Sequence, residues 1–320
     1  MSSLALPYEA TDKLKLADWL EICAHIAADG NSSSGDLESA LKTASVFESK
    51  SEIEQICLGV FSELEQRALA AGDSYPFEIN GSVLSLKSNP DEYLAYNFCL
   101  FLSYFRWSTK RNSEIPINPW LLFEELAHIA AMQYINGEGI RFGTSRGVSK
   151  ASKAAFEQAI RDLSQKIGEG KDFKKQKILA RKDDKVDLIV WKNFEDKKTS
   201  KIVMFGQCAA GDDWTGKVSE LQPSAFWRQW MVEGRVSPHL RSFYIPHRIE
   251  TDEWDFYARK ADILFDRCRV AYWAFSDNST VLANTNFRKW YLYILKTDAL
   301  GSSATAPKAT KRSRRSHDIV

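Results

Sequence analysis

Apolar residues in the first part of the chain recur at three- and four-residue steps, the period of an amphipathic helix. This pattern runs from residue 11 to about residue 71 and predicts three helices. The second of these is short and opens at Ser34 or Gly35, and the third covers residues 51–69. The apolar positions of the first helix are Leu14, Leu16, Trp19, Leu20, Cys23 and Ile26.

A different pattern follows at residues 75–86, where Asn80 and Gly81 stand between two runs of alternating apolar and polar residues. Such a pair between alternating runs predicts a β-hairpin. Asp91 then caps an apolar helix that continues to about residue 107. Residues 108–119 are polar and contain two prolines, which indicates a boundary. We therefore predict a mainly helical N-terminal domain over residues 1–115, with a hairpin near residues 75–87.

In the second half, helical and strand-like patterns alternate, which predicts an α/β domain over residues 116–300. The predicted elements are a helix over 119–134, a glycine-rich loop over 136–147, a helix over 150–167, strands over 186–191 and 201–208 with an exposed turn over 193–200, a helix from Asp212 or Trp214, a strand over 241–245, a helix capped by Thr251 and a strand over 270–275. The charged run from Asp266 to Arg269 predicts an internal ion pair or a helix end. Residues 301–320 are rich in Ser, Ala, Lys and Arg, and we expect them to be disordered.

Composition limits the class of protein. A length of 320 residues allows one large or two ordinary domains, and 44% hydrophobic with 27% charged residues suits a globular chain with a core. The net charge of +1 provides no global attraction to nucleic acid, so any basic surface must be local. The five cysteines form no CxxC pair, and no signal peptide or membrane-spanning run is evident. We expect a cytoplasmic protein with reduced cysteines that does not associate with membranes.

The candidate chemistry lies on the two strands over residues 186–191 and 201–208. Asp187 starts the first strand, and Gln207 stands near the end of the second. If the strands pair antiparallel, these two residues become neighbours. The Asp187 carboxylate, the Gln207 amide oxygen and the Cys208 backbone carbonyl could then hold Mg²⁺, which prefers oxygen ligands. Such an ion activates water and stabilises charge on a phosphodiester. The alternative is an ordinary turn residue followed by a strand end.

These residues resemble the motif of the PD-(D/E)xK nuclease superfamily, in particular its Mrr-like and restriction-endonuclease-like branches. Asp187 matches the family's Asp, and Gln207 matches its (E/Q) position, but Ala209 stands where the family has lysine. The resemblance covers roughly residues 119–245. It implies a restriction-endonuclease-like core, a central mixed sheet flanked by helices. It also implies that another lysine replaces the missing one, with Lys217 the first candidate and Lys185 the second.

The family also has a glutamate on the helix before its first core strand, often preceded by Phe. The sequence offers Glu124, which we favour, and Glu157. The resemblance implies that this glutamate supplies a second carboxylate of the site, so that Glu124 would also be a metal ligand. Arg141 and Arg146 lie in a glycine-punctuated loop that could bind phosphate, and Lys185 lies in a basic stretch that could follow a DNA backbone. The first stretch could equally be an ordinary loop, and the second could equally be a solvated face.

The resemblance implies a Mg²⁺- or Mn²⁺-dependent DNA endonuclease, with the setting of a restriction or phage-defence system. Two alternatives belong to other classes. The first is a nuclease fold kept as a binding module without cleavage, which Ala209 favours. The second is an interaction protein that binds a partner through residues 1–115. A homodimer is compatible with each of these hypotheses.

Overall fold

The computed structural model describes residues 4–7, 9–45, 47, 49–105, 114–142, 153–175 and 185–299. The predicted disordered tail over residues 301–320 and the first half of the predicted boundary, residues 108–113, lie outside this part of the chain. The helices are α1 (Lys13–Ile26), α2 (Ser34–Ala44), α3 (Lys50–Ala71), α4 (Leu94–Tyr104), α5 (Pro119–Ile135), α6 (Lys153–Ile167), α7 (Pro223–Trp230), α8 (Trp254–Ala261), α9 (Arg267–Phe275), α10 (Asn278–Ala283) and α11 (Thr285–Ile294). The strands are β1 (Asn31–Ser33), β2 (Phe77–Asn80), β3 (Val83–Leu86), β4 (Glu138–Arg141), β5 (Leu188–Lys192), β6 (Ile202–Cys208), β7 (Leu240–Tyr244) and β8 (Ile263–Phe265).

The first three helices start where local capping dictates. The Asp12 carboxylate accepts hydrogen bonds from the backbone N–H groups of Leu14 and Lys15 at the start of α1. Capping boxes open α2 and α3, with Ser33 paired to an acid three residues later in the first and Ser49 in the second. Each box satisfies backbone N–H groups that would otherwise lack partners, so it fixes the first turn.

The predicted hairpin is confirmed as β2 and β3. Asn80 pairs with Val83 across the turn, and Gly81 has a φ of +61°, a conformation that glycine adopts without strain. Strand β1 adds to the other side of β3, which gives a small antiparallel sheet beside α1 and α3.

The larger sheet is mixed and has the strand order β4-β5-β6-β7-β8. Strand β5 is antiparallel to both β4 and β6, whereas β6, β7 and β8 run parallel to one another. Because β6, β7 and β8 are parallel, their carboxyl ends meet at one edge, and the amino end of the antiparallel β5 lies at that same edge. The described chain is therefore a mixed α/β protein with two sheets.

Helices cover both faces of this sheet, as the alternation along its central strands requires. Leu188, Val190 and Met204 pack into the core that includes α5 and α9. Ile189, Trp191, Val203 and Phe205 pack into the core of α6 and α7. The first of these cores also contains α1, α3 and α4, so residues on both sides of the predicted boundary share it. The division that makes residues 1–115 a separate domain stays a prediction.

Two predicted elements and one predicted helix cap are wrong, each for a local reason. The apolar run over residues 270–275 is helix α9, because Asp266 caps it by accepting from the Arg269 N–H at 3.1 Å. A buried helix and a buried strand show the same continuous apolar run. After Asp212 only a short 3₁₀ turn forms (Trp214–Gly216), and α7 begins later. Thr251 does not cap α8; its hydroxyl donates to the Gln66 side chain.

One strand lies where the sequence predicts only a loop. Strand β4 occupies part of the glycine-rich stretch, and it forms an edge of the large sheet. A Cβ at Gly139 would lie 2.5 Å from Nε2 of His128, so glycine is required where β4 crosses α5. Within the described residues, no helix has both the length and the apolar character that a membrane span needs.

A buried group of charges joins the two halves of the chain, and we call it the arginine network. Its members are Arg67, Arg248 and Arg267 with the carboxylates of Asp18, Glu21, Glu63 and Asp266. Six of the seven are buried, and Arg248 is nearly so. The acids of α1 and α3 thereby bind arginines that follow β7 and β8.

Candidate functional site

Asp187 directly precedes β5 and lies beside the end of β6, the strand that carries Gln207. The antiparallel register pairs Leu188 with Gly206, and the N–H of Asp187 donates to the Gly206 carbonyl at 2.9 Å. Both Asp187 and Gln207 are 4% exposed. The predicted antiparallel pairing of the two strands is confirmed, and it brings Asp187 to residues 206–208 at the end of β6.

The Asp187 carboxylate is held by the end of β6. Its Oδ2 accepts a hydrogen bond from the backbone N–H of Cys208 at 2.7 Å. That bond fixes the carboxylate beside the residue whose carbonyl is the third predicted ligand. An N–H donor to a carboxylate stabilises the ionised form, which is the form that binds a cation.

The Gln207 amide has only one orientation that fits its surroundings. Its Nε2 donates to Oε2 of Glu220 at 3.3 Å. A carboxylate can only accept, so the amide nitrogen must face Glu220 and the amide oxygen must point elsewhere. Among the described residues, no donor reaches the buried Gln207 Oε1. A buried acceptor without a partner costs about 1–3 kcal/mol, which makes this oxygen a candidate ligand atom.

Glu220 and Lys185 complete this group. Lys185 Nζ lies 3.0 Å from the same Glu220 Oε2 that accepts from Gln207. The hydrogen bond from Lys185 is the main reason that the pKa of Glu220 lies below its usual value. The Lys185 backbone has a φ of +68°, a left-handed conformation that costs a non-glycine residue about 1 kcal/mol or more. No motif or spacing in the sequence indicates Glu220, which lies in an irregular segment between β6 and α7.

Lys217, the first candidate for the missing lysine, forms a different contact. Its Nζ lies 2.7 Å from Oδ1 of Asp213, four residues earlier in the same segment. Its charge still contributes to the lowered pKa of Glu220, so it lies near the group without bonding to it. Of the two candidate lysines, Lys185 is the one that shares a partner with Gln207.

The apolar surroundings of Ala209 explain why this position does not carry the lysine of the motif. Its side chain is 4% exposed and packs with Val218, Phe243 and Ile245 in an apolar cluster. A lysine there would have to bury its ammonium group among these side chains, which is costly without a partner.

The two candidate glutamates lie on different helices. Glu124 is buried on α5, the helix directly before β4, the first strand of the large sheet. Glu157 is half-buried on α6, which follows β4. Glu124 therefore lies on a helix that precedes the first strand of the large sheet, and Glu157 does not. The roles of both glutamates stay predictions.

The predicted phosphate-binding loop is described only at its start. Arg141 ends β4 and packs against α5, where its Nη1 lies 3.3 Å from a Glu125 carboxylate oxygen and donates to the Leu121 carbonyl. It is half-buried and neutralised in this position. Arg146 and the rest of the loop, residues 143–150, lie outside the described residues.

The oxygen atoms of this group are the kind of ligand that a hard divalent cation prefers. The described chain has no cluster of three or more His, Cys, Asp or Glu side chains arranged for a metal. Mg²⁺, however, commonly takes one or two protein carboxylates and completes its shell with water and substrate phosphate. The Asp187 carboxylate, the orphaned Gln207 Oε1 and the Cys208 carbonyl are such a set of oxygen atoms.

Comparison with protein-family models, curated proteins and solved structures found no match to this chain. The assignment of this site therefore depends on its geometry and on the motif resemblance.

Proposed function

We propose that this chain is a metal-dependent nuclease that hydrolyses phosphodiester bonds in DNA, with a restriction-endonuclease-like core in its second half. The observation that supports the proposal is the antiparallel pairing of β5 and β6, together with the hydrogen bond from the Cys208 N–H to the Asp187 carboxylate, next to Gln207 in the chain. A mixed sheet with helices on both faces, and Glu124 on the helix before its first strand, also support it. The setting of a restriction or phage-defence system comes from the resemblance alone.

In this proposal each residue has a separate task. A Mg²⁺ ion bound at the site would activate water and neutralise charge on the phosphate. Asp187, oriented by the Cys208 N–H, and the Gln207 Oε1 would hold it. The Lys185 ammonium would lie where the family's lysine acts, beside the attacked phosphate, and Glu220 keeps it there in the free protein. Lys217 and Glu124 would extend the site around the substrate.

The test is nicking of supercoiled plasmid in Mg²⁺ or Mn²⁺, with EDTA as a control. Asp187→Ala removes the proposed carboxylate ligand that lies beside the end of β6. We expect it to lower the rate at least ~100-fold, because a bound metal provides several kcal/mol of charge stabilisation. Asp196→Ala is the matched control, since Asp196 lies in the exposed turn after β5 and bonds only its neighbours there. Equal nicking by wild type and Asp187→Ala would refute the proposal.

A second candidate function, a nuclease fold that binds without cutting, is favoured by the apolar surroundings of Ala209. It predicts that DNA is retarded on a gel by the wild type and by Asp187→Ala alike, with no nicking by either. Binding of a partner protein through residues 1–115, without affinity for DNA, would instead support the interaction protein.

A further inference from the structure

We propose that Glu220 is a positioning residue that determines which atom of the Gln207 amide is presented to a bound cation. This inference rests on the proposed metal site and concerns a residue outside the motif that suggested it. The amide of glutamine has an oxygen that can ligate a cation and a nitrogen that cannot. The two ends have nearly the same shape, so only their hydrogen-bond partners decide the orientation.

Glu220 determines the orientation of the Gln207 amide by its position and by its charge. Its Oε2 lies 3.3 Å from the Gln207 Nε2, and the Gln207 side chain is 4% exposed, so no bulk water competes for the amide. Rotating the amide by half a turn would set its oxygen against the carboxylate oxygen, two acceptors with no proton between them. The observed orientation therefore leaves Oε1, the buried atom without a described partner, as the end of the amide that could ligate a cation.

Lys185 gives this carboxylate a fixed position. Its ammonium lies 3.0 Å from the same oxygen that accepts from Gln207, so one carboxylate oxygen holds both side chains. Glu220 itself is half-exposed, whereas Gln207 is buried. The arrangement is that of an outer residue that orients an inner ligand, and loss of such a partner commonly weakens metal affinity 10–100-fold.

The experiment measures Mn²⁺ binding to the full chain without DNA, from the paramagnetic resonance signal of free Mn²⁺. Glu220→Ala frees the amide to rotate, and we expect Mn²⁺ affinity to fall ~10–100-fold. Glu220→Gln retains a carbonyl oxygen that accepts from Gln207, so we expect a loss of about fivefold, the difference between a charged and a neutral acceptor. Glu195→Gln, in the exposed turn after β5, is the control and should bind as the wild type does.

The Glu220→Ala substitution in a Lys185→Ala variant tests a competing explanation. In that explanation Lys185, once it has lost its ion pair with Glu220, repels the cation. In Lys185→Ala protein, Glu220→Ala should still weaken Mn²⁺ binding about 10-fold or more. Loss of the effect in that background would overturn the proposal, and so would equal losses in Glu220→Ala and Glu220→Gln, which would make Glu220 itself a ligand. Thermal unfolding of each variant shows that it is folded.

Asp187→Ala separates this inference from the function on which it rests. If Asp187→Ala binds Mn²⁺ as the wild type does, or the wild type does not bind it, the metal site and the proposed function both fail. If Asp187→Ala loses Mn²⁺ but Glu220→Ala does not, the site stands and the role of Glu220 is refuted.

Discussion

The arginine network makes a quantitative prediction for Arg67→Met, a substitution that keeps an unbranched apolar side chain in place of the arginine stem and removes the guanidinium group and its charge. Arg67 is fully buried and donates to Glu63, Asp18 and Glu21 at 2.8, 2.7 and 2.9 Å, and to the Leu14 carbonyl at 3.0 Å. The variant leaves three buried carboxylates with one guanidinium fewer. Removing one partner of a buried ion pair costs about 3–5 kcal/mol, even where replacing all partners with apolar residues would be neutral.

The remaining ion pairs of these carboxylates place the expected loss of unfolding free energy toward the lower end of this range. Arg267 still binds Asp18 and Glu21, and Arg248 still binds Glu63, so no carboxylate loses its only cation. A loss near 3 kcal/mol is nevertheless a large fraction of a total of about 5–15 kcal/mol.

Urea unfolding followed by fluorescence of the ten tryptophans measures this loss. Arg288→Met is the matched control, because Arg288 pairs with Asp91 at the surface with 60% and 40% of the two side chains exposed, and it should cost at most about 1 kcal/mol. A loss from Arg67→Met no greater than that of the control would refute the reasoning.

The same variant should have a changed dependence on pH. Burial alone would raise the pKa of Asp18 and of Glu63, but the nearby guanidinium groups outweigh it and hold both values below their usual range. For Glu21, burial prevails over the arginines and raises the pKa. A carboxyl group with a lowered pKa stabilises the fold fully above its unfolded value near 4, and this stabilisation is lost as pH falls below that value and through the folded pKa. The difference in stability between wild type and Arg67→Met should therefore narrow as pH falls below about 4, and a constant difference would contradict this account.

Two further substitutions test the sheet and the buried histidines. A Cβ at Gly206 would lie 2.6 Å from Leu188 Cδ1 and 2.8 Å from Tyr244 Cε2, so Gly206→Ala should cost about 1–3 kcal/mol in urea unfolding, whereas Gly59→Ala, in open space on α3, should be neutral or stabilising. Burial lowers the pKa of His25 to about 4. As pH falls from 6.5 to 4, this histidine is therefore protonated in the unfolded chain but not in the folded one, and the free energy of unfolding declines in that window. His25→Gln should remove about 2 kcal/mol of the decline between pH 7.5 and pH 5, and an unchanged pH profile would refute this.

The elements that the sequence predicts well are those whose signals are local. The hairpin follows from Asn80 and Gly81, and α5 follows from a proline at its first position with Asn118 as its cap. The pairing of β5 and β6 follows from a short charged turn between two apolar runs, and it is enough to bring Asp187 to Gln207. Each of these features involves neighbours in the chain, so no knowledge of the tertiary fold is needed.

What the sequence could not predict depends on contacts between distant residues. Glu220 reaches Lys185 from 35 residues away in the chain, and no spacing indicates such a pair. The charged run from Asp266 is predicted as an ion pair or a helix end, and it is both: Asp266 caps α9, and Arg267 binds Asp18 of α1. The partner of Arg267, 249 residues away, could be found only from the fold.

The location of the arginine network gives the N-terminal helices a specific relation to the candidate site. Arg248 and Arg267 follow β7 and β8 at the carboxyl ends of these strands, and β6 ends at the same edge with Gln207 and Cys208. The acids that bind these arginines come from α1 and α3. Because the network is buried, α1 and α3 are fixed against the loops of that edge by ion pairs that water does not weaken. A nucleic acid that reached Asp187 would therefore approach an edge whose loops are held in part by the N-terminal helices, which gives residues 1–115 a structural means of shaping access to the site.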